Sequence, residues 1–351
     1  MTDLPKTMRA AILVEQNQPL VVDEIKLPKS LNVGQVLVKV HYSGICGSQL
    51  GEIAGVKGPD PYLPHLLGHE GSGTVLAVGA GVKSVKPRDN VVLHWRKGLG
   101  IESEPPCYRW NDHMLNAGWV TTFNEFAIVS ENRCTPVPTD NDLKVMALYG
   151  CAVTTGFGVV ENNAKVRIGE TVVVFGAGGI GLNVVQAASL VSAYPIIAVD
   201  LHDNRLDLAA EMGASHLINN GKKDAFQRIL DIAGPCGVDC FIDNTGLPSI
   251  IEKGYRITKP QGRLTLVGVP SIANDISIHT LPLHYGKTIS GSHGGDGMVF
   301  LDIARYHKLY KNGRIKLCEL ITNHYPLDAI NDAMKDMQNG KVAGRCLIKL
   351  S

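Results

Sequence analysis

The chain has 351 residues, 44% apolar and 19% charged, with a formal net charge of +1 at pH 7. That length exceeds one ordinary core and suits about two domains. The near-neutral balance excludes the basic footprint of a nucleic-acid or anionic-membrane binder, and no stretch approaches the roughly 20 consecutive apolar residues of a spanning helix. The opening stretch "MTDLPKTMRAAILVEQNQ" has neither the apolar run nor the small-residue cleavage site of a secretory signal, so the expected location is cytoplasmic. In that compartment the eight cysteines are expected to be packing thiols or metal ligands, not a disulfide framework.

Through about residue 150 the chain is a series of short β-branched runs broken by glycine and proline: "MRAAILV", "PLVVDEI", "GQVLVKVHYSGI", "GSGTVLAVG", "NVVLHW" and "NEFAIV". Their length and punctuation predict strands, and many short strands with turn signals predict a partly closed β-barrel or sandwich. Residues 97–120 follow neither the helical nor the strand period and read as one long loop. From about Val153 apolar strands alternate with helices: "ETVVVFGAGGIGLNVVQAASLV", "YPIIAVD", "NRLDLAAEMGA", "CFIDNTG", "SIIEKGYRIT", "GRLTLVGV". That alternation predicts an α/β unit with a doubly wound parallel sheet. Two further helices and a last strand, "GRCLIKL", close the chain.

Within the α/β region, "TVVVFGAGGIG" places Gly176, Gly178 and Gly181 in the G-x-G-x-x-G spacing, with Gly179 and Ile180 inside it. The first glycine makes a tight turn and the second admits a pyrophosphate. The third lets helix pack on strand, and the phosphates sit at the helix N-terminus. A strand precedes the motif, a helix follows, and Asp200 ends the next strand, where a carboxylate binds ribose hydroxyls and repels a 2′-phosphate. NAD is therefore expected over NADP. Arg205 is either a contact to the same end of the cofactor or a surface charge.

In the β-rich region, "GICGS" and "GHEGSGTV" set Cys46, Ser48, His69 and Glu70 among glycines, and "GCAVTTGFG" adds Cys151 just before the dinucleotide motif. In this order the motifs resemble the zinc-dependent alcohol dehydrogenases of the medium-chain dehydrogenase/reductase family, over nearly the whole chain. The resemblance implies a GroES-like catalytic domain (1–152), a Rossmann NAD-binding domain (153–291), and a C-terminal segment (292–351) that completes the catalytic domain. It implies Cys46, His69 and Cys151 as ligands of one catalytic zinc, Glu70 beside the metal, and Ser48 as the proton-accepting hydroxyl. Two thiolates and an imidazole leave a tetrahedral zinc one open position, from which it favours deprotonation of a bound alcohol. Thr155 and Ile180 match positions that pack on the nicotinamide; Val267 and His293 match backbone that holds its carboxamide. Arg345 matches an arginine that braces the metal's surroundings, and Trp95 and Phe123 match pocket positions, where aromatics either line a pocket or fill core.

Three departures are visible. The loop that carries four structural-zinc cysteines in many relatives has only Cys107, so no structural zinc is expected. Gln49 stands where relatives usually have an aspartate that orients the zinc-bound histidine, and Gly51 stands where some have a relay histidine. The implied activity is hydride transfer between an alcohol and NAD on a small-molecule substrate, in a homodimer or homotetramer. A polyol dehydrogenase and a zinc-free NAD(P)H-dependent enone or quinone reductase remain alternatives.

Overall fold

The computed structural model describes residues 4–222 and 224–351. It divides into two units. The first comprises the chain up to Cys151 together with Met298–His307 and Ile321–Ser351; the second comprises Ala152–Gly297 and Lys308–Leu320.

Two mostly antiparallel sheets build the first unit. The longest strand, Gln35–Ile45, shows why its sequence chooses this structure. Val36, Val38 and Val40 face one apolar cluster, while Leu37 faces another, the period-2 alternation of a strand buried on both sides. It pairs with Glu70–Val78, with Phe126–Ser130 and, from the far end of the chain, with Arg345–Lys349, where Cys346 lies opposite Ile45. The C-terminal strand thus brings Arg345 to the end of the strand that leads into Cys46. This is the GroES-like architecture that the sequence predicts.

One expectation needs correction. Residues 97–120 are not a single irregular loop: Tyr108–Trp110 and His113–Leu115 form a hairpin, and Arg109 pairs with Lys26 to join it to the five-stranded sheet. Strands of three residues are too short for either period to register. Burial fixes the hairpin instead: Tyr108 and Leu115 are fully buried, and the Tyr108 hydroxyl accepts the Ile128 N–H at 3.2 Å.

The second unit holds six parallel strands in the order His216–Asn219, Ile196–Asp200, Val172–Phe175, Val238–Asp243, Thr258–Leu266, Thr288–Gly291. All four residues of Val172–Phe175 are buried, as a central strand covered on both faces requires. The order reverses beside this strand, and ligands bind outside the carboxyl ends of strands at such a switch point. The segment 308–320 packs with this unit although the sequence assigns it to the other. The reason is local: Gln186, on the helix Gly179–Leu190, bonds the Lys316 backbone N–H at 2.7 Å and its carbonyl at 3.1 Å. Among the described residues no single helix is long and apolar enough to cross a membrane.

Candidate metal and dinucleotide sites

Three separate segments of the first unit converge on one point. Cys46 ends the strand Gln35–Ile45 and precedes the short helix Gly47–Ile53. His69 precedes the strand Glu70–Val78, and Cys151 follows the turn Leu148–Gly150. One ligand atom from each lies within 4.8 Å of the other two. The His69 Nε2 is buried and takes no hydrogen bond, whereas its Nδ1 lies 2.5 Å from the Gln49 amide nitrogen. A buried ring nitrogen without a partner costs free energy, and two sulfurs beside it form the donor set that suits zinc. The residues fit that ion.

The electrostatics agree. The Cys46 thiol is held well below the ordinary thiol range, chiefly by its hydrogen bond with Cys151, then by His69 and the Arg345 charge, against the opposing effect of burial. A thiolate is the form that binds metal. Glu70 is fully buried and its carboxylate contacts the Arg345 guanidinium, itself only 3% exposed. Gly44 makes room for this pair, since a Cβ there would strike the Glu70 carboxylate. Ser43 and Thr122, which the sequence did not single out, bond each other at 2.6 Å, and both hydroxyls lie within reach of the Glu70 carbonyl, at 3.1 and 3.2 Å, so that one donates to its neighbour and the other to the carbonyl. They hold the backbone beside His69, and no motif marks them.

A second group, Glu52, Asp60 and His65, also brings its ligand atoms within 4.8 Å. There both ring nitrogens of His65 have partners, Asp60 at 2.9 Å and the Leu66 carbonyl at 2.9 Å. It is an ion pair closing a loop, not a vacant donor set.

The other predicted residues of this unit fall in different places. Ser48 lies in the first turn of the short helix, half-buried. Gln49 is 1% exposed, and its carbonyl oxygen accepts the Cys46 N–H at 2.8 Å. Trp95 meets His69 edge-on, with ring centroids 6.5 Å apart, and the Arg96 guanidinium lies over the Trp95 ring at 5.7 Å. Phe123 is fully buried in the cluster with Leu67, Ile45 and Leu13. That packing is the core-filling alternative which the sequence leaves open for this aromatic.

The dinucleotide turn belongs wholly to the second unit. Gly176 has φ +92°, a conformation that favours glycine. A Cβ at Gly181 would collide with the Gly176 carbonyl, so the helix can start there only with glycine. Gly178 differs: its φ is −75° and a Cβ would meet nothing within 4 Å. The fold itself does not need that glycine, whereas an approaching pyrophosphate does. Gly178 is also the N-cap of the helix Gly179–Leu190 and brings no side chain to its free N–H groups, which leaves them for an anion. Gly179 and Ile180 open that helix.

Asp200, at the end of Ile196–Asp200, takes the Ala177 N–H of the glycine turn at 2.8 Å, and the N–H groups of Leu201 and His202 at 2.7 and 3.1 Å. Arg205 lies 3.7 Å from it. Thr155 is buried on the helix Ala152–Gly158, where Gly295 approaches its carbonyl closely. That contact brings the turn beginning at His293 to Thr155. The His293 N–H donates to Asp296 at 3.2 Å, and the Val267 N–H donates to the Asp243 carbonyl at 2.8 Å. Asp243 was missed by sequence reasoning: its carboxylate accepts from Thr245 and Gly246 and shapes the turn at the end of the neighbouring strand. The signal available was a polar "DNTG" directly after an apolar strand.

The chain resembles known dehydrogenases over nearly its whole length. Residues 32–139 match the family described as Alcohol dehydrogenase GroES-like domain, and residues 179–311 match Zinc-binding dehydrogenase. The S-(hydroxymethyl)glutathione dehydrogenase of Paracoccus denitrificans is 31% identical over 371 aligned positions, covering 95% of this chain and 97% of that one. The crystal structure of benzyl alcohol dehydrogenase from Acinetobacter calcoaceticus superposes with a TM-score of 0.89 at 29% identity, over 99% of this chain and 100% of that one. An alcohol dehydrogenase zinc-binding domain protein from Burkholderia ambifaria gives the same TM-score and identity over 98% of this chain and 99% of that one.

Proposed function

The chain belongs to the zinc-binding alcohol dehydrogenase family, and from that premise we propose that Cys46, His69 and Cys151 hold its single catalytic zinc while the Gly176–Gly181 turn and Asp200 hold NAD. It is a zinc-dependent oxidoreductase that interconverts an alcohol and its aldehyde or ketone. The observation that carries the assignment of ligands is the buried His69 Nε2, without a partner, beside two sulfurs, one of them shifted toward thiolate.

Zinc, when bound, supplies a Lewis acid that polarises the substrate oxygen and eases loss of the alcohol proton. The chain's own groups do the rest. Ser48, two residues after Cys46 and half-buried, accepts that proton and passes it on. The Glu70–Arg345 pair keeps the wall behind the donors rigid and charge-balanced. In the second unit, the uncapped helix N-terminus receives the pyrophosphate. Asp200 accepts the ribose hydroxyls and disfavours a 2′-phosphate, with Arg205 beside it. Thr155 and Ile180 pack against the nicotinamide, and the backbone at Val267 and His293 holds its carboxamide. With Cys107 alone in the 97–120 segment, a four-thiolate structural site cannot assemble, so the expected content is one zinc per chain.

Trp95, edge-on to His69, favours an apolar or aromatic alcohol, in keeping with the benzyl alcohol dehydrogenase relative. All eight cysteines are free, as in a reducing cytoplasm. The strand Thr288–Gly291 ends its sheet and offers an unpaired edge through which two copies would join into a homodimer or larger homo-oligomer.

A panel of benzyl alcohol, S-(hydroxymethyl)glutathione and a sugar alcohol, each with NAD and with NADP, tests this reading. NAD-linked oxidation fastest with benzyl alcohol supports it. Turnover with NADP alone, or enone reduction that survives Cys151→Ala, overturns it.

A further inference from the structure

Gln49 sits between the Cys46 N–H and the His69 ring, two groups that its single amide oxygen cannot both serve once His69 binds metal. Its side chain is 1% exposed, so no bulk water intervenes. On one side is the Cys46 N–H, 2.8 Å from the amide oxygen; on the other is the His69 Nδ1, 2.5 Å from the amide nitrogen. In that arrangement the amide donates to Nδ1, so a neutral ring carries its proton on Nε2. With Nδ1 taken by Gln49, Nε2 is the nitrogen left to join Cys46 and Cys151 as a ligand, and a protonated nitrogen cannot bind metal.

Zinc on Nε2 requires the other tautomer, with the proton on Nδ1. The Nδ1–H then points at the amide NH2, donor against donor. Turning the amide over cures that contact and creates the same conflict at the Cys46 N–H. A primary amide has one acceptor atom, and the zinc-bound state presents two donors to it.

We infer that Gln49 is a positioning residue that works against the metal: it holds zinc-free His69 in the tautomer that cannot ligate, and it makes the zinc-bound state one hydrogen bond short. The site therefore binds zinc loosely and exchanges it readily. This rests on the assignment of Cys46, His69 and Cys151 as ligands. A carboxylate of the same size has two acceptor oxygens and removes the conflict, one oxygen taking the Cys46 N–H and the other the Nδ1–H.

The test is the zinc dissociation constant of the full-length chain, measured by competition with a chromophoric chelator, for wild type, Gln49→Glu and Cys151→Ala. Gln49→Glu should bind zinc about 10- to 100-fold more tightly than wild type, the usual size of an outer-partner effect. In protein carrying ring-15N histidine, the wild-type His69 Nδ1 (assigned by its loss in His69→Gln) should be unprotonated before zinc and protonated after. In Gln49→Glu it should be protonated in both states. Equal zinc affinity in wild type and Gln49→Glu, with Cys151→Ala still weakening binding, overturns this inference and leaves the zinc assignment standing. Zinc binding unaffected by Cys151→Ala overturns both. If Gln49→Glu does not fold, the wild-type spectrum decides alone: a proton on Nδ1 before zinc is added overturns the inference.

Discussion

The metal cluster and the dinucleotide turn are built in opposite ways. The turn is local: Gly176, Gly178 and Gly181 lie within six consecutive residues where a strand turns into a helix, and their partner Asp200 ends the next strand. Its geometry follows from backbone conformation and close approach, which spacing alone encodes. The cluster is assembled from three segments, and its supports come from farther still, with Arg345 delivered by the last strand of the chain. A local site can be read from its motif. An assembled site shows its ligands in sequence but hides the hydrogen bonds that tune them.

The sharpest way to break this comparison is to remove one donor from each side. His69→Ala deletes the donor whose Nε2 has no protein partner. It should weaken zinc binding by more than about 100-fold, since loss of an outer partner alone costs 10- to 100-fold; chelator competition measures it, and NAD binding should not change.

On the other side, two single methyl groups separate a glycine that the fold needs from one that a ligand needs. Gly181→Ala drives a Cβ onto the Gly176 carbonyl and should destabilise the protein by about 1–3 kcal/mol. Gly178→Ala meets open space and should leave stability within about 0.5 kcal/mol while weakening NAD by roughly tenfold, through a lost close approach to the pyrophosphate. Thermal unfolding and cofactor titration of both variants give the answer. If Gly178→Ala binds NAD normally, the turn is only a turn.

The units should also differ in their response to acid. His94 is fully buried, its Nδ1 bonded to the Arg96 carbonyl at 2.8 Å and its Nε2 to the Thr135 hydroxyl at 2.9 Å. Burial lowers its pKa to about 4. The folded pKa lies below the unfolded value of about 6.5, so the stability from keeping His94 neutral is fully present above that value. It falls away as pH drops toward 4. Between pH 7.5 and pH 5 the loss should be about 2 kcal/mol. In the other unit, burial pushes the Asp243 carboxyl upward, so the same acidification favours its neutral form. All three tryptophans, Trp95, Trp110 and Trp119, belong to the first unit. Tryptophan fluorescence during urea unfolding therefore reports on that unit, and His94→Gln should flatten its pH dependence by that amount.

Much of the fold was legible. The six quoted β-branched runs before residue 150 all contain strands, and the switch near Val153 marks the parallel sheet. What stayed hidden was short or non-local. The hairpin at 108–115 has strands too brief for a period, and its place depends on the burial of Tyr108 and Leu115. The resemblance places Phe123 at the pocket, and its packing against Leu67 and Ile45, both distant in sequence, shows only in the fold. The Ser43–Thr122 pair joins a strand to a loop far away in the chain, so nothing in the local pattern announces it. Gln49 was visible as a departure, yet its two-sided conflict needed the positions of the Cys46 N–H and the His69 ring.

The central claim is that Cys46, His69 and Cys151 form one open zinc site and that no second zinc is bound. Elemental analysis of the purified wild type, after dialysis against micromolar zinc, beside Cys151→Ala treated identically, tests it most directly. About one zinc per wild-type chain, lost in Cys151→Ala, is the result this account predicts. No zinc in the wild type, equal zinc in the variant, or two zincs per chain would contradict it.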